Sequence, residues 1–192
     1  MKKIRLAIFA SGSGTNAEAI VKYFHHHPQV EVSGIYSNNP NAYVLQRARK
    51  LQVPAYVFTR QELNDPAFVD KLEAQQVDLI VLAGFLWLLP ANLVARFPQR
   101  IINIHPALLP KYGGKGMYGH HVHAAVLANR EKESGITIHY VNERYDEGAV
   151  IFQARCPVYP DDTPDTLAQR IHALEHKHYP EVIEKIALKL TE

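Results

Sequence analysis

Ile4-Arg5-Leu6-Ala7-Ile8-Phe9-Ala10-Ser11-Gly12-Ser13-Gly14-Thr15-Asn16 decides the architecture. Ile4 to Ala10 has the length and composition of a buried strand, and it runs directly into a glycine turn. Ala17, Ile20, Val21 and Phe24 then recur at helical spacing. Strand, glycine turn and helix together open a βαβ unit.

Downstream the alternation continues. Val30 to Tyr36 reads as a second strand ending at the turn Asn38-Asn39-Pro40. A helix from about Ala42 to Leu51 and a short strand at Pro54 to Phe58 follow. Asp65-Pro66 starts another helix, which carries Phe68, Leu72 and Ala74. Asp78 to Gly84 is apolar without alternation, as in strands covered by helices on both faces. A helix at about Pro90 to Phe97 leads to a strand at Arg100 to Pro106. Beyond it, Gly135–Val141 and Ala149–Val158 read as two half-exposed strands forming a hairpin. The chain closes with a helix from about Thr163 to Leu190 that Pro180 is expected to kink or split. The pattern predicts an α/β fold: a single-domain, Rossmann-like, doubly wound and mostly parallel sheet with a C-terminal antiparallel hairpin and a long C-terminal helix. Residues 1–100 form the phosphate and substrate half of that expected domain, and 101–192 the catalytic half.

Composition excludes several classes. The chain has 192 residues, 47% of them apolar and 21% charged, with a formal charge of +2. That balance carries no basic field for nucleic acid. The longest apolar run, Leu79 to Pro90, falls well short of the roughly 20 residues that cross a membrane, and no signal peptide is evident. One cysteine, Cys156, cannot form an internal disulfide, which favours a cytoplasmic location. Eleven histidines are the one compositional oddity.

Three groups of residues carry chemistry. Gly12-Ser13-Gly14-Thr15-Asn16-Ala17 fits the dinucleotide pattern G-x-G-x-x-G/A, yet the second strand ends Ile35-Tyr36-Ser37-Asn38-Asn39 without the carboxylate that holds a ribose. A triphosphate-loop lysine is missing too. What remains is a helix N-terminus suited to a single phosphate. In Asn103-Ile104-His105-Pro106, the first and third residues share one strand face at the carboxyl end of the sheet. An amide there can donate to an oxyanion and an imidazole can move protons. Tyr145-Asp146-Glu147-Gly148 is a turn whose aspartate, if folded over His105, is expected to raise the histidine's pKa and keep it charged. His25-His26-His27 reads as a solvated helix end. His120, His121, His123, His172, His176 and His178 lack the companions of a zinc site, so no metal is expected. Cys156 lies mid-strand without a basic neighbour and is not expected to be a nucleophile.

These stretches, with Val81-Leu82-Ala83-Gly84-Phe85, Asn103 through Pro110, Gly135-Ile136-Thr137-Ile138-His139 and Asp146-Glu147-Gly148 in order, closely resemble the folate-dependent formyltransferase family, on its phosphoribosylglycinamide formyltransferase branch. The resemblance covers nearly the whole chain. It implies direct formyl transfer from the co-substrate 10-formyltetrahydrofolate to the amine of glycinamide ribonucleotide, through a tetrahedral intermediate and without a metal. Asn103, His105 and Asp146 would be catalytic. Gly12, Ser13, Gly14, Thr15, Asn16, Pro106, His172 and Glu175 would bind the substrate, with His123 in the following loop. Leu86, Trp87, Leu88 and Leu89, with Asn103 and the loop Asn142, Glu143, Arg144, Tyr145 and Asp146, would hold the folate.

The resemblance also implies a cis Leu109-Pro110 bond. Three departures stand out: Glu147 replaces a family glycine, Arg60 is the weak substitute for an arginine expected near Asp65, and the loop Tyr112 to His123 is long, as in a flexible lid. A monomer or homodimer working on small molecules, with neither nucleic acid nor membrane as partner, is expected. The alternatives are a formyltetrahydrofolate deformylase, disfavoured because strand one begins at Ile4 with no regulatory domain before it; a methionyl-tRNA formyltransferase, which needs a further C-terminal domain; and a non-catalytic phosphate- or nucleotide-binding module.

Overall fold

The structure, a computed structural model, describes residues 2–192. Fourteen elements follow in chain order: β1 (Ile4–Phe9), α1 (Thr15–Phe24), β2 (Val30–Ser37), α2 (Tyr43–Lys50), β3 (Ala55–Val57), α3 (Arg60–Asn64), α4 (Pro66–Ala74), β4 (Leu79–Leu82), α5 (Ala91–Arg96), β5 (Ile101–His105), α6 (His120–Ala128), β6 (Glu133–Tyr140), β7 (Val150–Pro157) and α7 (Pro164–Lys189). The seven strands form one sheet in the order β3-β2-β1-β4-β5-β6-β7. β1 pairs in parallel with β2 and β4, and β4 with β5; β6 runs antiparallel to both β5 and β7.

The unbroken apolar runs follow from two-sided burial. Leu6 and Ile8 of β1, with Leu79 and Val81 of β4, pack into the core under α1, α2, α6 and α7. Ala7, Phe9, Ile80 and Leu82, their alternate neighbours, pack into the opposite core under α4 and α5. Each fully buried Leu, Ile or Phe contributes about 1.5–3 kcal/mol by leaving water. β1 has β2 on one side and β4 on the other, so successive crossovers leave it in opposite directions. The carboxyl ends of β1 and β4 are the switch point where open α/β sheets bind ligands.

Three expectations need correction, and one helix was not anticipated. β6 is buried rather than half-exposed, Thr137 and His139 included, because it is an interior strand between β5 and β7. Pro180 does not split α7, which runs through it as one helix of 26 residues; Pro180 and its neighbour Tyr179 are buried, so tertiary packing keeps the helix continuous despite the lost amide. The stretch Tyr112–His123 is not loop throughout, since α6 begins at His120. Helix α3 was missed, although Thr59 and Glu62 form the S/T-x-x-E capping box that signals a helix start. The Leu109-Pro110 bond is cis.

Gly14, immediately before α1, has φ 79°, and a Cβ there would come within 2.2 Å of Val44 Cγ2. At Gly12 an added Cβ meets nothing within 4 Å. Gly14→Ala is expected to cost about 2–5 kcal/mol, from left-handed backbone strain plus overlap, while Gly12→Ala changes stability by less than about 1 kcal/mol. Urea unfolding of both variants checks this, and equal midpoints would show that the turn is not clamped by α2.

Candidate active site

One cavity of about 810 Å³ opens at the switch point, lined from both halves of the chain. Its floor is the Gly12–Asn16 turn. The Gly12 carbonyl accepts the Val44 amide at 3.0 Å and the Gly14 carbonyl accepts the Glu18 amide at 2.9 Å, so these acceptors are directed into α2 and α1. The first-turn amides of α1 have no carbonyl ahead of them and are free for an anion.

Asn103 and His105 project from β5 into this cavity, as their spacing predicts. His139 stands opposite Asn103 in the β5–β6 register. His139 Nδ1 donates to the Tyr140 carbonyl at 2.8 Å, which leaves Nε2 to accept from the Asn103 side-chain amide at 3.2 Å. One amide hydrogen of Asn103 is thus used for orientation and the other is available to a ligand. Asp146, held at φ 57°, lies between the two imidazoles. Its Oδ1 is 3.6 Å from His139 Nε2, its Oδ2 is 3.5 Å from His105 Nδ1, and Oδ2 accepts the Gly114 amide at 3.0 Å. His105 Nε2 donates to the Tyr112 carbonyl at 2.7 Å.

Burial works against the charge on Asp146, but the facing His139 and His105 rings and the Gly114 amide outweigh it and hold the carboxyl below its usual range. For His105 the balance is reversed. Burial pushes the imidazole below its ordinary pKa and the attraction of Asp146 does not recover it. Asp146 draws the His105 ring upward as expected, but burial outweighs that pull.

A second arm holds Asn16, His123, His172 and Glu175, with Pro106 on the cavity wall. Burial drives Glu175 up to about 7, with the Asn16 amide pulling weakly the other way. Burial and the neighbouring His172 and His120 rings lower His123 to about 4. Asn16 Oδ1 and His123 Nδ1 are buried without a partner among the described residues, so this arm presents one free acceptor and one free ring nitrogen.

The apolar wall is Leu86, Trp87, Leu88 and Leu89, anchored where Ser11 Oγ accepts the Leu86 amide at 3.0 Å. Arg60 joins it, its guanidinium 4.3 Å from the Trp87 ring centre. Arg144, Tyr145 and Asp146 close the far side. Asn142 and Glu143 do not line this cavity. Asn142 Oδ1 accepts the Arg144 amide at 2.8 Å in a local turn, and both residues face a separate surface depression beside Val94 and Glu147. Glu147 is not among the left-handed residues, so replacing a glycine there leaves the loop unstrained. Gly148 is the position that demands glycine, since a Cβ would fall 1.6 Å from the Tyr140 carbonyl oxygen.

Sequence reasoning missed His139, Gly114 and Lys115 as cavity residues. The β5–β6 pairing would have found His139, but no local pattern reveals the other two. Cys156 does have a basic neighbour, Arg170, but burial raises its thiol pKa and it lies outside the cavity. Among the described residues no group of three or more His, Cys, Asp or Glu side chains is arranged to hold a metal. No helix among them is long and apolar enough to cross a membrane.

Residues 4–183 match the family model described as formyl transferase. The chain is 40% identical over 195 residues to the chloroplastic phosphoribosylglycinamide formyltransferase of Arabidopsis thaliana, covering 96% of this chain and 66% of the plant protein. It is 38% identical to the phosphoribosylglycinamide formyltransferase of Haemophilus influenzae, covering 96% of this chain and 86% of that one. The crystal structure of glycinamide ribonucleotide transformylase 1 from Symbiobacterium toebii superposes with a TM-score of 0.88 at 36% identity, over 97% of this chain and 89% of the other.

Glu175 gives the site a signature in stability. Its carboxyl ionises near 4.5 in an exposed chain and near 7 when folded. Between those values the unfolded state has released a proton that the folded state retains, so this group lowers stability as pH rises through that window. Glu175→Gln should gain stability relative to the parent protein from about pH 5 to pH 7 and level off above. A pH-independent difference in denaturant unfolding would contradict the burial assignment.

Proposed function

The chain belongs to the formyl transferase family, and from that premise we propose that it transfers the formyl group of 10-formyltetrahydrofolate to the primary amine of glycinamide ribonucleotide. The observation that carries this is Asp146 shared between His105 and His139 beside Asn103, in a cavity floored by a phosphate-type turn. The phosphate takes the amides of Gly12 to Asn16. Glu175, His172 and the unpartnered Asn16 Oδ1 meet the ribose and glycinamide end. The folate lies against Leu86 to Leu89 and under Arg144 to Asp146. The whole chain works as one domain, as a monomer or homodimer acting on small molecules.

The amine attacks the formyl carbon, and a tetrahedral intermediate with an oxyanion forms. The free amide hydrogen of Asn103 points to the oxygen. As the new C–N bond forms, the amine nitrogen sheds a proton. His105 Nδ1 is the vacant ring nitrogen, because Nε2–H is committed to Tyr112. A proton arriving there sits beside Asp146 Oδ2, 3.5 Å from the ring nitrogen, so the carboxylate stabilises the imidazolium that forms with the intermediate. The proton then passes to the folate nitrogen as its bond to the formyl carbon breaks. Each oxyanion donor is worth about 3–4 kcal/mol of barrier, and holding two reactants together supplies up to about 7–11 kcal/mol.

Purified enzyme incubated with 10-formyltetrahydrofolate, with and without glycinamide ribonucleotide and followed by folate absorbance, tests the assignment. Folate release that requires the amine is expected. Release of formate without it indicates hydrolysis, and no release at all indicates a binding module. His105→Ala and Asp146→Ala should each lower kcat by about 100-fold or more with little change in KM; near-normal turnover in either would remove these residues from the chemistry.

A further inference from the structure

Arg47 is not part of the cavity lining, yet its guanidinium reaches the glycine turn from behind. Nε donates to the Ser13 carbonyl at 2.7 Å, and Nη2 lies 3.3 Å from Ser13 Oγ. Nη1 is bonded to Glu18, which also pairs with Lys22 at 2.8 Å. The guanidinium carbon sits 4.8 Å from the Tyr43 ring centre, so the side chain is fixed by stacking as well as by hydrogen bonds. With the Gly12 carbonyl on the Val44 amide, both exposed acceptors of the turn are held by α2.

This arrangement has two consequences. A peptide plane whose carbonyl is fastened outward must turn its N–H inward, so the Ser13–Gly14 amide is aimed at the cavity before any ligand arrives. The guanidinium also places a permanent positive charge behind that amide, and Arg remains charged at any working pH. Glu18 and Lys22 face the same group and leave a net positive cluster of Arg47, Lys22 and Glu18 at the turn. His176, on the facing helix α7, has its pKa lowered by burial first and by His172 and Arg47 after it, with Glu18 pulling the other way.

We propose that Arg47 is a positioning residue for the substrate's phosphate, acting through Ser13 rather than by contact. The inference rests on the assignment of the turn to a phosphate monoester. It predicts that Arg47 matters in proportion to the charge on that end of the substrate and not to the formyl chemistry.

The test compares the parent enzyme, Arg47→Met and Arg47→Lys on glycinamide ribonucleotide and on its 5′-dephosphorylated nucleoside. The parent should prefer the phosphorylated substrate in kcat/KM. Arg47→Met should reduce that preference about tenfold, the value of one charge-assisted contact, with the loss carried by KM rather than kcat. Arg47→Lys, which keeps the charge but not the fork, should recover part of it. An equal loss on both substrates would make Arg47 a purely structural residue and overturn the proposal, as would an unchanged preference. If Arg47→Met does not fold, inorganic phosphate binding to Arg47→Lys by calorimetry decides the matter, with affinity below the parent expected and equal affinity overturning it. A parent enzyme that does not distinguish the two substrates overturns instead the phosphate assignment itself.

Discussion

At the carboxyl end of β1 the sheet runs out of partners, and the site is built on that constraint. The Ser11 amide still donates to the Gly84 carbonyl at 3.0 Å, and the Ala83 amide to the Phe9 carbonyl at 2.8 Å. Beyond these two bonds the chains diverge, because β1 feeds a crossover to β2 and β4 one to β5. Residues 12–16 turn toward α2 and residues 85–89 turn the other way, leaving a crevice whose two walls differ in chemistry. One wall is backbone amide, fixed by Val44 and Arg47; the other is Leu and Trp. Helix α7 crosses behind both. The fully buried Tyr179 hydroxyl donates to the Leu82 carbonyl at 2.7 Å and lies 3.4 Å from that of Ile102. Glu175, one turn earlier on the same helix, is thereby registered against the ends of β4 and β5, where the apolar wall and Asn103 begin.

This explains which parts of the molecule could be read from the sequence. Unalternated runs such as Leu79–Leu82 signal two-sided burial because alternate residues enter two cores, and the glycine turn announces the first crossover. Asn103 and His105 stood out as polar groups in an otherwise apolar strand. His139 did not, since on β6 it alternates with Ile138 and Tyr140 and looks like the wet face of a hairpin; only its pairing opposite Asn103 gives it a role. Arg47 was equally silent, being one of three basic residues in the last turn of α2. Tyr112 and Gly114 act through main-chain atoms, and a carbonyl or amide carries no mark of residue type. The lowered pKa of His105 is of the same kind, because the depth of burial that causes it belongs to the assembled cavity and to no segment of chain.

The two buried carboxyls of the cavity show how far environment outweighs residue type. Asp146 has a backbone amide and two imidazoles within reach, and it stays ionised. Glu175 has the Asn16 amide and no cation, and its pKa rises to about 7. Exchanging their surroundings would exchange their charges. The difference fits a division of labour along the crevice. A fixed negative charge is useful where a transient imidazolium must be favoured, and the Gly114 amide and the two facing rings offset part of its desolvation there. A carboxyl that titrates near neutrality can lie buried at little cost and shift toward its charged form when donors approach it. The glycine turn adds positive potential of its own, from its amides and from Arg47 bonded to the Ser13 carbonyl. The cavity thus brings together a cationic turn, the titrating Glu175 and the anionic Asp146, three groups of different charge within one lining.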